Sequence, residues 1–396
     1  MHGDARLLVV DDVEQNVDLL VRRLRRFGYE NIVTARNGRE ALEILDTRPV
    51  DLILLDIMMP ELDGYAVLER LNEQERLADL PVIMISAIDE LEDVVRCIEL
   101  GAEDYLTKPF NVTLLRARVQ AALEKKRLRD AAAAELHRLR QESLVARELQ
   151  QGLLARDFPH ADRGDPVSVH AVMHPALEVG GDLYDFFFPD GDTLCCMVGD
   201  VSGKGIASGL FMARARSLLR WATAHDARGV EPTDLGRILA TVNAELCEGN
   251  AMVMFVTLCI ALIDLPTGRI QFCSAGHNPP YLLRGHGGPE EVQVARDAAL
   301  GIHDDEEYRT RTHQLQPGDR VLIYTDGITE ARDETGAFYS EQRLERTLGT
   351  LHGHGVRDGI DALVASVRAF AGDARQADDI TAMMLHWHGP AERASP

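Results

Sequence analysis

From Val112 to Gln151 the chain contains neither glycine nor proline, and alanine, leucine, glutamate and arginine dominate the stretch. These residues lose little on entering a helix, so one continuous helix is predicted, longer than globular helices usually run. Leu136, Leu139, Ser143, Ala146, Gln150 and Leu153 fall at heptad spacing, while Lys125 and Arg129 interrupt the same register upstream. Two packings are open for such an imperfect seam: a parallel homodimer, or burial against the helix's own domains. The stretch also separates two patterns that do not mix. The division expected is 1–120, a helical linker with a candidate coiled coil at 121–157, and 158–390.

Before the helix, short apolar runs alternate with amphipathic ones. Leu7 to Val10, Ile32 to Ala35, Leu52 to Leu55, Val82 to Ile85 and Asp104 to Leu106 read as strands, and Val17, Leu20, Val21, Leu24 and Phe27 keep helical period. Strand and helix in strict alternation imply right-handed crossovers and a parallel sheet covered on both faces. The fold class expected is α/β, a five-stranded doubly wound, flavodoxin-like sheet. In such sheets functional groups gather at the carboxyl ends of the strands.

The polar residues at those ends are Asp11, Asp12, Asp56, Ser86 and Lys108. Three carboxylates on one rim repel one another, and a hard divalent cation with oxygen ligands relieves that repulsion. A lysine and a hydroxyl on the same rim can hold an anion. Cation, phosphoryl group and lysine together make a site for phosphoryl transfer onto an aspartate.

Val9-Val10-Asp11-Asp12, Leu55-Asp56-Ile57-Met58-Met59-Pro60, Asp63-Gly64, Ser86-Ala87 and Lys108-Pro109-Phe110 resemble the motifs of bacterial response-regulator receiver domains. The resemblance implies that Asp56 accepts a phosphoryl group from a histidine kinase or phosphotransfer protein. It implies further that Asp11, Asp12 and Asp56 hold Mg2+, that Ser86 and Lys108 contact the phosphoryl oxygens, and that Tyr105 reorients on activation.

After Pro159 strand-like runs follow one another: Val167 to Met173, Leu183 to Phe188, Thr193 to Gly199, Met252 to Ile263, Ile270 to Ser274 and Val321 to Thr325. Helical runs at Ala207 to His225 and Asp234 to Glu248 sit together, and another spans Arg357 to Ala371. Grouped strands and grouped helices predict an α+β domain of layered, largely antiparallel sheets. The loops near Gly285 to Gly288 and His303 to Glu307 read as surface excursions.

Gly199-Asp200-Val201-Ser202-Gly203-Lys204-Gly205 suggests a phosphate cradle at first sight. Its spacing fails the P-loop requirement of four residues between the glycines followed by Lys and Ser or Thr. What is left is an aspartate at a strand end. Three comparable places exist: Gly180-Gly181-Asp182, Thr325-Asp326-Gly327 and Asp378-Asp379-Ile380-Thr381. Turn chemistry alone would favour such aspartates. If they converge, cations must hold them together, and two metals bridged by an aspartate lower the pKa of a shared water and neutralise charge on phosphorus. No Ser/His/Asp pattern or cysteine-centred phosphate loop competes. His277 is a candidate acid or positioner, although the sequence favours a satisfied turn histidine.

Those motifs, with Leu183-Tyr184-Asp185 and Ser274-Ala275-Gly276-His277-Asn278-Pro279, make residues 165 to 388 similar to the metal-dependent serine/threonine phosphatases of the 2C superfamily, in its bacterial sporulation and stress-response branch. The resemblance implies two Mn2+ or Mg2+ ions, bridged by Asp200 with the Val201 carbonyl as a ligand. Asp182 would bind one of them, and Asp326 and Asp378 the other. Asp379 is the alternative to Asp378, and Asp185 a weaker candidate. The implied substrate is a phosphorylated anti-sigma-factor antagonist or a sigma-factor regulator. A rival from another class is a sigma-factor-binding adaptor that uses the phosphatase-like domain without catalysis. Adaptors of that kind lose the metal aspartates, whereas all four positions are kept here.

The formal net charge of −22 argues against nucleic acid or an anionic membrane as partner, and no basic recognition helix follows the first domain. Six cysteines are scattered without zinc-type or disulfide-framework spacing, as in the reduced thiols of a cytosol. With no apolar run of membrane-spanning length and no signal-type N-terminus, a cytoplasmic location is expected.

Overall fold

A computed structural model of the chain describes residues 4–87, 91–155, 157–160, 165–227, 233–285 and 287–390. The chain falls into two compact units, Met1–Leu139 and Arg140–Pro396. The boundary lies inside the long helix rather than at its ends.

The first unit runs β1 (Leu7–Val10), α1 (Glu14–Arg26), β2 (Ile32–Ala35), α2 (Gly38–Thr47), β3 (Leu52–Asp56), α3 (Gly64–Glu73), β4 (Val82–Ser86), α4 (Leu91–Glu99), β5 (Asp104–Thr107) and the start of α5 (Val112–Leu153). The strands pair in parallel in the order β2-β1-β3-β4-β5, the expected doubly wound sheet. Period-two alternation gives each face its own core. Leu8, Val10, Ile53, Leu55 and Met84 pack towards α2 and α3, and Leu7, Val9, Leu52, Leu54 and Ile83 towards α1 and α5. Leu115, Val119 and Ala122 anchor the first turns of α5 in that second core.

The second unit holds the end of α5, then β6 (Val167–His174), β7 (Leu183–Phe187), β8 (Thr193–Val201), α6 (Ile206–Asp226), α7 (Leu235–Cys247), β9 (Val256–Asp264), β10 (Arg269–Ala275), β11 (Tyr281–Leu283), β12 (Glu290–Glu291), β13 (Arg311–Gln314), β14 (Arg320–Tyr324), α8 (Ser340–Thr350), α9 (Val356–Ala371) and β15 (Ile380–Trp387). Two antiparallel sheets result, ordered β13-β10-β9-β8-β7 and β12-β11-β14-β15-β6. Leu194, Cys196 and Val198 of β8 meet Val321 and Ile323 of β14 and Met383 and Leu385 of β15 between the sheets. The alternate residues face outward: Cys195 and Met197 lie under α6 and α7, and Leu322, Ala382 and Met384 under α8 and α9. The layers are therefore helix, sheet, sheet, helix, with the central strands of each sheet buried on both faces.

The strand expected over Met252 to Ile263 starts only at Val256. Asn250 accounts for the delay: its side chain donates to the Met254 carbonyl at 2.6 Å and accepts from the Met254 N–H at 2.9 Å, curling residues 250–254 into a turn. Sequence periodicity left β11, β12, β13, α8 and β15 unassigned. The first three are too short for a pattern, whereas β15 is apolar on both faces and shows no alternation. Loop residues His303 to Asp305 and Gly285, Gly287 and Gly288 are exposed as expected. Cys97, Cys195, Cys196, Cys259 and Cys273 are buried free thiols and Cys247 a half-buried one, so all six serve as small packing residues. No helix among the described residues is long and apolar enough to cross a membrane.

Candidate metal centres

In the first unit each strand end delivers a polar group to one rim. Asp11 and Asp12 follow β1, Asp56 and Ser86 close β3 and β4, and Lys108 follows β5. Asp11, Asp56 and Ser86 are buried, and Asp12 is exposed. Carboxylate oxygens of Asp11, Asp12 and Asp56 lie within 4.8 Å of one another, a spacing that suits one hard divalent cation. Lys108 Nζ stands 2.8 Å from Asp11 Oδ2 and 2.9 Å from Asp56 Oδ1. The other Asp11 oxygen is fixed by the Val13 N–H and the Asn16 amide.

Burial is the main reason the Asp56 carboxyl is pushed up to about 6; Lys108 opposes the rise, and Asp11 and Asp12 add to it. Burial pulls the Lys108 ammonium down, but its hydrogen bonds to Asp11 and Asp56 outweigh this and hold it above its ordinary value. Gly64 is needed for space, because a Cβ there would strike the Asp56 carbonyl. Tyr105 is buried on β5.

In the second unit the four aspartate sites come from distant parts of the sequence. Asp182 precedes β7, Asp200 lies near the end of β8, Asp326 follows β14, and Asp378 and Asp379 precede β15. Burial, then Asp326 and Asp378, pushes Asp200 up to about 7. Burial and then Asp200 hold the fully buried Asp182 well above the usual carboxylate range. Asp326 is raised by burial first, with Glu330 and Asp378 adding to it. Asp182 hydrogen-bonds with Asp200, which opposes the rise of the latter, so the two carboxyls adjoin, and Asp326 and Asp378 lie near enough to act on Asp200. A divalent cation is what such a donor set fits. The cluster is looser than the first: among the described residues, only Asp11, Asp12 and Asp56 bring three ligand oxygens within 4.8 Å.

Several backbones pass close together to build it. A Cβ on Gly181 would come within 2.6 Å of the Val201 carbonyl oxygen and 3.3 Å of Asp200 Oδ1, so the carbonyl of Val201 opens towards Asp182 and Asp200. The Thr381 N–H donates to Thr325 Oγ1 at 3.0 Å, and that hydroxyl donates to Asp182 Oδ2 at 2.8 Å. Asp182 is thereby held from two strands.

The paired aspartates before β15 separate clearly. Asp379 is buried, and its carboxylate accepts from the N–H groups of Ala176 at 2.7 Å, Gly181 at 2.6 Å and Asp182 at 3.3 Å. It braces the turn that carries Asp182, and both its oxygens are occupied. Asp378 is half-exposed and pairs with Lys204 Nζ at 3.1 Å. Lys204 also donates to the Ala377 carbonyl, so it ties the 199–205 turn to the loop before β15. Asp185 is likewise used elsewhere: it receives Arg216 at 3.0 Å and Arg220 at 2.8 Å and pins β7 to α6. His277 is buried with Nδ1 2.9 Å from Thr257 Oγ1, and burial lowers its pKa to about 4. A neutral, packed turn histidine is the better description of it.

Gln150, one of the residues at heptad spacing, packs against its own unit. The end of α5 does not present it along a seam. Its amide donates to the Gly180 carbonyl at 2.6 Å and accepts from the Gly180 N–H at 3.1 Å, bracing the Gly180–Asp182 turn from behind. No local spacing distinguishes such a glutamine from a polar seam residue. Leu136, Leu139 and Leu149 remain exposed along the helix.

A receiver rim and a carboxylate-ringed phosphatase-type sandwich define a response regulator with a phosphatase-fold output. Residues 190–388 match Stage II sporulation protein E (SpoIIE), and residues 7–120 match the response regulator receiver domain. The chain belongs to the SpoIIE family and carries a receiver domain ahead of the matched region. It is similar to Protein IcfG of Synechocystis, 28% identical over 261 residues, covering 61% of this chain and 40% of that protein. The receiver is similar to the alkaline phosphatase synthesis transcriptional regulatory protein PhoP of Bacillus subtilis, 46% identical over 120 residues, 30% of this chain and 49% of that protein. The chain thus spans less than half of these relatives. Among solved structures, the SiaA-PP2C domain of Pseudomonas aeruginosa shares the fold at a TM-score of 0.55 and 22% identity, covering 64% of this chain and 99% of that one.

Proposed function

We propose that this chain is a two-component response regulator whose receiver, phosphorylated on Asp56, controls a metal-dependent phosphoserine/phosphothreonine protein phosphatase. The observation that carries the reading is the convergence of strand-end carboxylates on Asp200: it hydrogen-bonds with Asp182, and Asp326 and Asp378 lie close enough to raise it. Two Mn2+ or Mg2+ ions, when bound, would supply an activated water and neutralise charge developing on phosphorus. Asp200 would bridge them with the Val201 carbonyl beside it, Asp182 would serve one, and Asp326 and Asp378 the other. Asp379, Thr325 and Gln150 are positioning residues that hold the Asp182 turn in place.

In the receiver, an Asp56 carboxylate oxygen attacks the phosphorus of a phosphohistidine, the P–N bond breaks as the P–O bond forms, and neutral imidazole leaves, keeping the proton already on its other ring nitrogen. Asp11, Asp12 and Asp56 would hold Mg2+. Lys108, already on Asp56, is placed to follow the new anionic oxygens, with Ser86 beside it. The protein substrate proposed is a phosphorylated anti-sigma-factor antagonist, and the exposed Leu136 and Leu139 offer a short seam for a second copy. Hydrolysis of p-nitrophenyl phosphate and of a phosphoserine protein, assayed with Mn2+ or Mg2+ and with chelator, tests the activity. Turnover that survives chelation would overturn it. Comparing turnover with and without a phosphoryl mimic on Asp56 tests the control, and identical rates would remove it.

A further inference from the structure

The chain carries 64 acidic residues against 42 basic ones, so an arginine near its surface has carboxylates to choose from. Three arginines at one place take none. Arg332, Arg368 and Arg375 ring a cavity of about 250 Å3 formed by the loop after β14, the end of α9 and the loop before β15. Among the described residues none of the three forms an ion pair with a carboxylate. Arg332 lies over the Phe338 ring at 4.7 Å, which orients its guanidinium without neutralising it. Arg368 reaches only the His174 ring, at 3.3 Å. Val367 and Ile380 give the cavity an apolar wall.

Its position matters as much as its charge. Asp378 and Gly327 also line it, so it adjoins the proposed metal cluster along the two loops that deliver Asp326 and Asp378. A phosphoprotein segment with its phosphoryl group on that cluster would pass a neighbouring side chain into this cavity. Guanidinium groups suit a carboxylate there, since their planar fork matches it in a bidentate way.

We propose that the cavity ringed by Arg332, Arg368 and Arg375 is a specificity subsite that takes an acidic side chain flanking the phosphorylated residue of the protein substrate. The inference rests on the phosphatase reading for its orientation. It adds the charge class of the sequence recognised.

The test uses the full chain and two phosphoserine peptides that differ only in carrying glutamates or glutamines beside the phosphoserine. In the wild type, kcat/KM for the acidic peptide should exceed that for the neutral one by about tenfold, mainly through KM, and the preference should shrink at high salt. The triple variant R332Q/R368Q/R375Q should lose the preference, and the Arg→Lys triple variant should keep part of it. Equal kcat/KM for the two peptides in the wild type, or an unchanged preference in the glutamine variant, would overturn the subsite. A binding arm, fluorescence anisotropy of the labelled non-phosphorylated peptides, separates the two readings. If no peptide and no p-nitrophenyl phosphate is hydrolysed but the acidic peptide still binds through the arginines, the phosphatase reading fails and the subsite stands. If turnover is robust and acidic binding is no tighter than neutral, the subsite fails and the phosphatase reading stands.

Discussion

The two aspartate clusters solve the same electrostatic problem in opposite ways. In the receiver, Lys108 bridges Asp11 and Asp56 at 2.8 and 2.9 Å, so part of the compensating charge is covalently built in. In the phosphatase-fold unit Lys204 touches Asp378 at the rim, and among the described residues Asp182 and Asp200 receive no cationic side chain. Burial and then neighbouring carboxylates lift both, Asp56 to about 6 against Lys108 and Asp200 to about 7 against a hydrogen bond with Asp182. A rim with its own cation can take an anionic phosphoryl group. A cluster whose buried aspartates lack one is suited to cations from solution.

The largest expected effect breaks the second cluster directly. Asp200→Asn should lower metal-dependent turnover of p-nitrophenyl phosphate on the order of 10^3-fold or more, as steady-state kinetics would show. Near-normal turnover would remove Asp200 from the bridging position. The same variant without metal should unfold at a higher temperature than the wild type, because one repelling carboxylate is gone.

The proposed roles of Asp378 as a ligand and Asp379 as a brace should be pulled apart by single substitutions. Asp379→Ala leaves three backbone N–H groups without their acceptor and should cost about 3 kcal/mol or more of stability, measured by denaturant unfolding. Asp378→Ala should cost under about 1 kcal/mol, since its partner Lys204 is half-exposed, yet should abolish most turnover. The reverse assignment would be indicated if Asp379→Ala folded normally and lost only activity.

Metal addition sharpens the contrast between the clusters. Mn2+ or Mg2+ at about a hundred times its dissociation constant should stabilise a unit by about 2.7 kcal/mol, seen as a rise in its melting temperature. Asp200→Asn should shrink the rise in the second unit, and Asp56→Asn the rise in the receiver. Cross-effects would show that the two clusters are not independent.

The smallest effect comes from a group outside both clusters. Burial, and then His388 and Arg320, lower His386 from its ordinary 6.5 to about 4. The unfolded chain therefore binds a proton that the folded one refuses between those values. Its contribution to stability is present above pH 6.5 and lost as the pH falls towards 4. His386→Gln should flatten the acid limb of a stability-against-pH curve, and an unaltered limb would assign the loss to other groups.

The receiver was legible almost residue by residue. In a parallel sheet every strand end lies on one rim, so Asp11, Asp12, Asp56, Ser86 and Lys108 could be placed together from strand order alone. The second unit offered only motifs. Asp182 and Asp200 come together across the β7–β8 pairing, and Asp326 and Asp378 across the β14–β15 pairing. Only the packing of one sheet on the other joins the two pairs, and no local pattern encodes that. The short β11 to β13 and the doubly buried β15 were missed for the same reason, because alternation is lost when a strand is very short or buried on both faces.

What the sequence by itself determined is the set of chemical groups: strand-end aspartates, the lysine after β5, the glycines that let backbones approach, and a helix long enough to join two units. The tertiary structure alone decided which group does what. It spent Asp379 on three amides, Asp185 on two arginines and Gln150 on Gly180, and it set Arg332, Arg368 and Arg375 around one cavity. The physical reason is that a side chain's type is local, whereas its partner is set by burial and distance between segments far apart in the chain.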